Sequence, residues 1–151
     1  MSQGFDIQQQ AELAKEEDKG IDVHIHGVDE KPLYYMDGDV QKPVTINVSG
    51  VHSEKHRRVE AMLRKRKLKP NQFTGQFVYE DAIERAAACT NDWQGFFADG
   101  KVVPFSQANV REVYKRAPWV HDQIAEAMND HSRFFGNASN SQQNTSIIGQ
   151  D

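Results

Sequence analysis

Two pairs of histidines have the residue type and spacing that could bind a metal ion. His24 and His26 share one face of an alternating apolar pattern, and His52 and His56 lie four residues apart where a helix is predicted to start. Zinc sites in proteins use three or four ligands, and no cysteine cluster or His-Glu-x-x-His motif accompanies either pair. We therefore interpret these histidines as parts of solvated faces. A small metal-dependent enzyme based on His24 and His26 is kept as an alternative.

Patterns typical of nucleophilic or phosphate chemistry are missing from the sequence. Cys89 is the single cysteine, which excludes an intrachain disulfide, and its alanine-rich surroundings favour a buried, unreactive thiol. There is no Gly-x-Ser-x-Gly elbow, no phosphate-binding loop and no dinucleotide fingerprint. We expect no enzymatic activity, no metal and no cofactor.

Charge is unevenly distributed along the 151 residues, which carry a net charge of −4. Residues 55–69 hold 8 of the 18 Lys and Arg residues and one acidic residue, whereas residues 1–54 hold 11 Asp and Glu residues. A basic helix can bind phosphates, but the interleaved aromatic residues that stack on single strands are missing. We favour contacts between basic and acidic protein surfaces, with Arg57, Arg58, Arg64 and Lys65 as candidates for electrostatic self-association, over binding of nucleic acid.

Hydrophobic periodicity predicts an α+β fold in which a small antiparallel β-sheet or meander is packed by four to five helices. No apolar run is long enough for a membrane span, and the first residues do not resemble a signal peptide, so a cytoplasmic protein is expected. We predict a single domain over 1–135 and a disordered polar tail over 136–151. Helices are predicted over 5–18, 54–67, 77–90, from Ser106 to Ala117 and over 118–135; strands over 21–26, 33–36 and 44–49; and a hairpin at Asp99-Gly100.

The last predicted helix carries an apolar stripe that could be core or could bind a partner. Large aromatic residues are concentrated between residues 93 and 135, more than a small helical layer readily buries, so some are expected at an interface. The candidate partner-binding residues are Trp119, Val120, Ile124, Ala127, Met128, Phe134 and Phe135.

The order of aromatic, glycine and proline residues along the chain resembles the tail assembly chaperones of long-tailed, siphovirus-type bacteriophages. The resemblance covers most of residues 5–135. It rests on Phe5-Asp6 with Glu12-Leu13, Val48-Ser49-Gly50, the helix of Ser53 and Arg57, the run from Trp93 to Ser106, Asn109-Val110 with Val113-Tyr114, and Ala117-Pro118-Trp119-Val120 with Gln123-Ile124, ending near Phe134.

This resemblance implies a protein that acts by contact and has no chemistry of its own. Such proteins bind and solubilise the tape measure protein, help recruit tail tube protein, and are absent from the mature virion. The implied partners include further copies of the chain, as a homo-oligomer, and a longer frameshifted form of itself, with the host cell cytoplasm as the location. The alternatives are a virion structural protein of the tail or connector, and a nucleic-acid-binding accessory protein using the basic helix at 55–69.

Overall fold

The structure is a computed structural model that describes residues 4–66 and 75–135. The predicted polar tail, 136–151, and Lys67 at the predicted end of the second helix lie outside the described residues. Within the described part the fold is α+β, with a small antiparallel sheet packed by helices, which confirms the predicted fold class.

The helices begin close to the predicted positions. The Ser53 hydroxyl accepts a hydrogen bond from the His56 amide at 3.3 Å, and the Ser106 hydroxyl accepts one from the Asn109 amide at 3.1 Å. These side chains satisfy first-turn amides that have no partner within the helix. The helices are α1 (Ile7–Lys19), α2 (Glu54–Arg64), α3 (Gly75–Cys89), α4 (Gln107–Arg116) and α5 (Pro118–Asn129), with a further helical segment at 131–135.

The last predicted helix is shorter than expected. Prediction placed one continuous helix over 118–135, but Asp130 has φ −93° and ψ 87°, which is outside the helical region, and divides it. Pro118 lies in the first turn of α5, where the missing amide hydrogen is tolerated.

The first third of the chain is antiparallel, as predicted, but its strands do not form one continuous meander. β1 pairs with β4 and β4 with β5, while β2 pairs only with β3 as a separate hairpin. The strands are β1 (Ile21–His24), β2 (Tyr34–Asp37), β3 (Val40–Pro43), β4 (Thr45–Val48), β5 (Thr90–Gln94), β6 (Phe97–Ala98) and β7 (Lys101–Val102). The β6–β7 hairpin turns at Asp99 and Gly100, both with positive φ, which confirms the predicted turn.

One face of the three-stranded sheet forms the floor of the core. Val23 lies opposite Ile46, which lies opposite Trp93, and directly opposed residues share a face. Helices α3, α4 and α5 cover that face. The buried apolar residues of the core cluster are Val23, Ile25, Val44, Ile46, Val48, Ile83, Ala86, Ala87, Cys89, Trp93, Val110, Tyr114, Val120, Ile124, Ala127 and Met128.

Helix α2 is joined to α3 by ion pairs at its edge. Arg85 binds Glu60, and Arg66 lies 2.7 Å from Asp81. The Arg85 guanidinium lowers the pKa of the Glu60 carboxyl, so the pair is ionised at neutral pH. The apolar residues of α2 are spaced i, i+3 and i+4, and of these Val59 and Leu63 are buried whereas Met62 is exposed. None of the described helices is both long and apolar enough to cross a bilayer.

Candidate partner-binding surface

Most of the apolar stripe predicted to bind a partner is buried within this chain. Because α5 packs against α3, α4 and β4, the stripe closes the core and is not exposed. The predicted partner-binding residues that are buried are Val120, Ile124, Ala127, Met128 and Phe134. These five side chains are therefore not accessible to a partner in the folded chain, and their role in partner binding stays a prediction. Helical periodicity marks the residues that are buried, but not the surface against which they are buried.

Trp119 is the predicted partner-binding residue that is exposed. Its side chain lies on the other side of α5 from the stripe and is 39% exposed. Phe135 is half-buried, with its ring stacked on His131 at a centroid distance of 6.4 Å. Trp119 is thus the predicted residue that a partner could reach without moving α5.

Trp119 lines a cleft of about 430 Å³ between α5 and the turn that follows β1. Val28, which is 72% exposed, lies on the turn side of the cleft. Charged and polar side chains also line the cleft, namely Glu30, Asp122, Gln123, Glu126 and Arg133. Carboxylates therefore outnumber cations there. The cleft therefore combines an aromatic anchor with an acidic rim, an arrangement suited to an apolar segment flanked by basic residues.

An aromatic path connects this cleft to the β2–β3 hairpin. The His24 ring lines the cleft and meets the Tyr34 ring edge-on, with a centroid distance of 4.9 Å. Met36 lies two residues beyond Tyr34 on the same strand and so on the same face, and is 60% exposed. We call Tyr34, Met36, His24, Val28 and Trp119 the hairpin–cleft surface.

The side chains of His24 and His26 stabilise the backbone of the hairpin–cleft surface through hydrogen bonds. His24 Nε2 donates to the Leu33 carbonyl at 2.8 Å, and His26 Nδ1 donates to the Glu30 carbonyl at 2.9 Å. These bonds connect β1 to the turn that leads into β2. Neither histidine belongs to a group of three close metal-type ligands among the described residues.

The second predicted histidine pair is divided between two environments. His56 faces a cavity beside α3, and burial lowers the pKa of its imidazole. The His52 ring turns instead to Glu17, which also meets His131. Sequence reasoning missed Glu17 and His131 because they are separated from His52 by 35 and 79 positions and no local pattern links them.

The four candidate residues for self-association are exposed on α2 or at its end. Arg58 lies 2.6 Å from Glu54 and Arg64 lies 3.7 Å from Glu60, both within the helix. Arg57 and Lys65 form no ion pair with other described residues. Because residues seven apart return to one side of a helix, Arg57 and Arg64 form one column and Arg58 and Lys65 another.

Cys89 is fully buried, which confirms its interpretation as a core residue. Burial raises the pKa of the thiol to about 11, so it stays protonated and weakly nucleophilic at neutral pH.

Comparison of the chain with known protein families, with curated proteins and with solved structures finds no match.

Proposed function

We propose that this chain is a tail assembly chaperone of a long-tailed bacteriophage. In this proposal it binds the tape measure protein in the host cytoplasm, keeps it soluble, and helps recruit tail tube subunits. The proposal rests on the sequence resemblance together with the hairpin–cleft surface. In this proposal the tape measure protein binds at the hairpin–cleft surface and not at the buried stripe of α5.

The single observation that carries the proposal is the concentration of exposed apolar side chains beside a cleft. Within the described part, Tyr34 and Met36 are exposed on one face of the hairpin and Val28 is exposed beside the cleft. Leu33 and Val40 are exposed too, but Val40 lies opposite Asp37 and so on the other face of the hairpin. Grouped exposed apolar residues are typical of surfaces that bind other proteins, whereas scattered ones are not. The apolar core beneath this surface is buried by the chain's own helices. Because the surface side chains are already exposed, binding would require no unfolding of the chaperone.

A long apolar helix is the client that this surface suits. Burying an apolar side chain such as Met36 releases roughly 1.5–3 kcal/mol, so one contact site gives modest affinity. If several copies of the chaperone associate with one another along one tape measure protein, their combined affinity exceeds that of a single copy without any new kind of contact. Such binding would shield the client from aggregation while allowing release when tail tube subunits replace the chaperone.

Copies of the chain would associate through complementary charge. On the solvent face of the sheet Asp22 and Asp92 lie opposite Asn47 from either side, which makes an acidic strip. The exposed cations of α2, Arg57 and Lys65 among them, offer the opposite charge. This complementarity supports the proposal of a homo-oligomer, including one with the longer frameshifted form.

Co-expression with the tape measure protein of the same phage tests the proposal. The account predicts that the tape measure protein is insoluble alone and soluble with this chain, and that the two purify together. Mass spectrometry of purified virions separates the proposal from a structural role, because a chaperone is absent from the particle. A tape measure protein that stays insoluble beside a well-expressed partner, or a stoichiometric presence in virions, would contradict it.

A further inference from the structure

A buried carboxylate on α1 meets two histidines from distant parts of the chain. Glu17 is fully buried, and its Oε2 lies 2.8 Å from His52 Nδ1 and 3.3 Å from His131 Nδ1. One ligand atom from each of the three residues lies within 4.8 Å of the others. The three residues come from α1, the loop before α2, and the segment that follows α5.

The charge of Glu17 is only partly compensated by the groups around it. Its Oε1 accepts a hydrogen bond from the His52 amide at 3.2 Å, and no lysine or arginine in residues 4–66 or 75–135 forms an ion pair with it. A buried carboxylate is costly unless a cation or several donors face it. The groups that face Oε2 are two imidazoles, which are also the preferred nitrogen ligands of zinc.

The backbone around Glu17 is shaped to hold this carboxylate in place. A Cβ atom at Gly50 would lie 2.1 Å from Glu17 Oε1, so only glycine allows the carboxylate to approach so closely. The Gly50 amide also donates to the Glu17 carbonyl at 3.0 Å, and the Val51 amide donates to the Met128 carbonyl at 3.2 Å. The loop that carries His52 is thereby attached to α1 on one side and to the end of α5, near His131, on the other.

Two of the three distances between donor atoms are close to those of a tetrahedral site, and all three atoms lie within 4.8 Å of one another. With metal–ligand distances of roughly 2.0–2.1 Å, neighbouring ligands of a tetrahedral zinc ion lie about 3.3 Å apart. The two carboxylate–imidazole distances of 2.8 and 3.3 Å are close to that value. The imidazoles are stacked at an interplanar angle of 21°, so they must splay to direct both Nδ1 atoms at one ion. Side-chain exposures of 58% for His52 and 41% for His131 leave room for this movement and for water as a fourth ligand.

We propose that Glu17, His52 and His131 bind one divalent transition-metal ion of the zinc class. The ion would coordinate through Glu17 Oε2 and both Nδ1 atoms, replacing the present hydrogen bonds. It would fasten α1 to the body of the protein by connecting three segments that are far apart in sequence. This proposal is independent of the tape measure proposal.

Titration of the untagged, chelator-treated full chain with Zn²⁺ tests this site by calorimetry and by thermal unfolding. We expect one ion per chain and a higher Tm, with no response to Mg²⁺, which prefers oxygen ligands. Co²⁺ should give the visible absorption of a low-symmetry nitrogen and oxygen site. His131→Ala should weaken binding by more than the ~10–100-fold typical of changes outside the direct ligands.

Two variants make the test specific. His52→Ala removes a second exposed ligand and should lose binding as His131→Ala does, with circular dichroism used to verify that both are folded. His56→Ala is the matched control, because it removes a histidine four positions away that is not in the cluster, and it should bind as the wild type does. Absence of Zn²⁺ binding by the wild type, or wild-type affinity in both ligand variants, would overturn the proposal.

Discussion

The side-chain amide of Gln123 bonds to both backbone polar groups of His26. Its Oε1 accepts from the His26 amide at 2.7 Å, and its Nε2 donates to the His26 carbonyl at 2.8 Å. β1 is an edge strand of the sheet, and His26, two residues after it, forms an isolated antiparallel bridge with Pro32. One side chain of α5 thus takes the place of a neighbouring strand and forms one wall of the cleft.

Gln123→Ala should reduce the free energy of unfolding by about 1–2 kcal/mol, because two hydrogen bonds are lost and one edge is uncovered. It should also increase self-association, since uncovered edges pair with other chains. Urea unfolding and light scattering measure the two effects. Gln123→Glu retains the acceptor but places a carboxylate oxygen against the His26 carbonyl in an acidic cleft, so it should be at least as destabilising as the alanine variant. A wild-type urea midpoint for Gln123→Ala would show that the contact contributes nothing.

Ile124→Ala should destabilise the protein by about 2–4 kcal/mol, because Ile124 is fully buried and truncation leaves a cavity. Urea unfolding of the isolated chain measures this loss. Ala125, which is beside it and half-buried, provides a control as Ala125→Ser, which should change stability little. If Ile124→Ala left stability unchanged and weakened client binding, α5 would be the partner surface after all.

Alkaline pH should destabilise the fold through Cys89. Burial raises the pKa of its thiol from an ordinary value of about 9 to about 11, and burial also raises the pKa of Tyr114. Below pH 9 the thiol is protonated in both states, so its contribution is constant. Between pH 9 and 11 the unfolded thiol ionises first, so the free energy of unfolding falls, for this group by on the order of 2 kcal/mol.

Urea unfolding of the wild type and Cys89→Ala at pH 7, 9 and 10.5 measures this effect. The variant should be less stable at pH 7, because it leaves a small cavity, but should lose less stability on going to pH 10.5. Parallel loss of stability in the two proteins would mean that the thiol is accessible to ionisation in the folded state. Tyr114 is left unchanged in both proteins, so the part of its raised pKa that burial causes is common to them, whereas the smaller part caused by Cys89 is lost in the variant.

Self-association should depend on salt and on the cations of α2. Replacing Arg57 and Lys65 together by glutamate should shift sedimentation toward the monomer at low ionic strength, because it removes attraction to acidic surfaces. At about 1 M salt, where the screening length is ~3 Å, the wild type should shift in the same way. Lys101→Glu, an exposed change on the β6–β7 hairpin, serves as control. A monomeric wild type at low salt would refute the charge-complementarity mechanism.

Local patterns predicted the elements whose signals are local. The serine caps placed the starts of α2 and α4, and the Asp99-Gly100 turn placed the β6–β7 hairpin. β5 was missed because the alanine-rich pattern of α3 continues to Cys89 without a turn residue, and the strand that follows is defined by pairing with β4, more than 40 positions earlier. Long-range pairing of this kind leaves little trace in a short segment.

The candidate sites were less predictable because they depend on tertiary contacts. The α5 stripe has the period of a buried face, and that period is the same for a protein's own core and for a partner's groove. Glu17 is one of several acidic residues on a polar helix, and nothing near it in sequence distinguishes the one that is buried. Trp119 was identified from its residue type, but its exposure follows from the direction in which α5 packs.

Solubilisation of the tape measure protein by surface variants tests the central claim most directly. Met36→Asp and Trp119→Asp each place a charge on the hairpin–cleft surface, whereas Val78→Asp places one at a similarly exposed apolar position on α3, 63% against 60% exposed for Met36. All three should fold as the wild type does, by circular dichroism. The account predicts that the soluble fraction of co-expressed tape measure protein falls sharply with Met36→Asp and Trp119→Asp and is unchanged with Val78→Asp. Equal solubilisation by all three variants would contradict it.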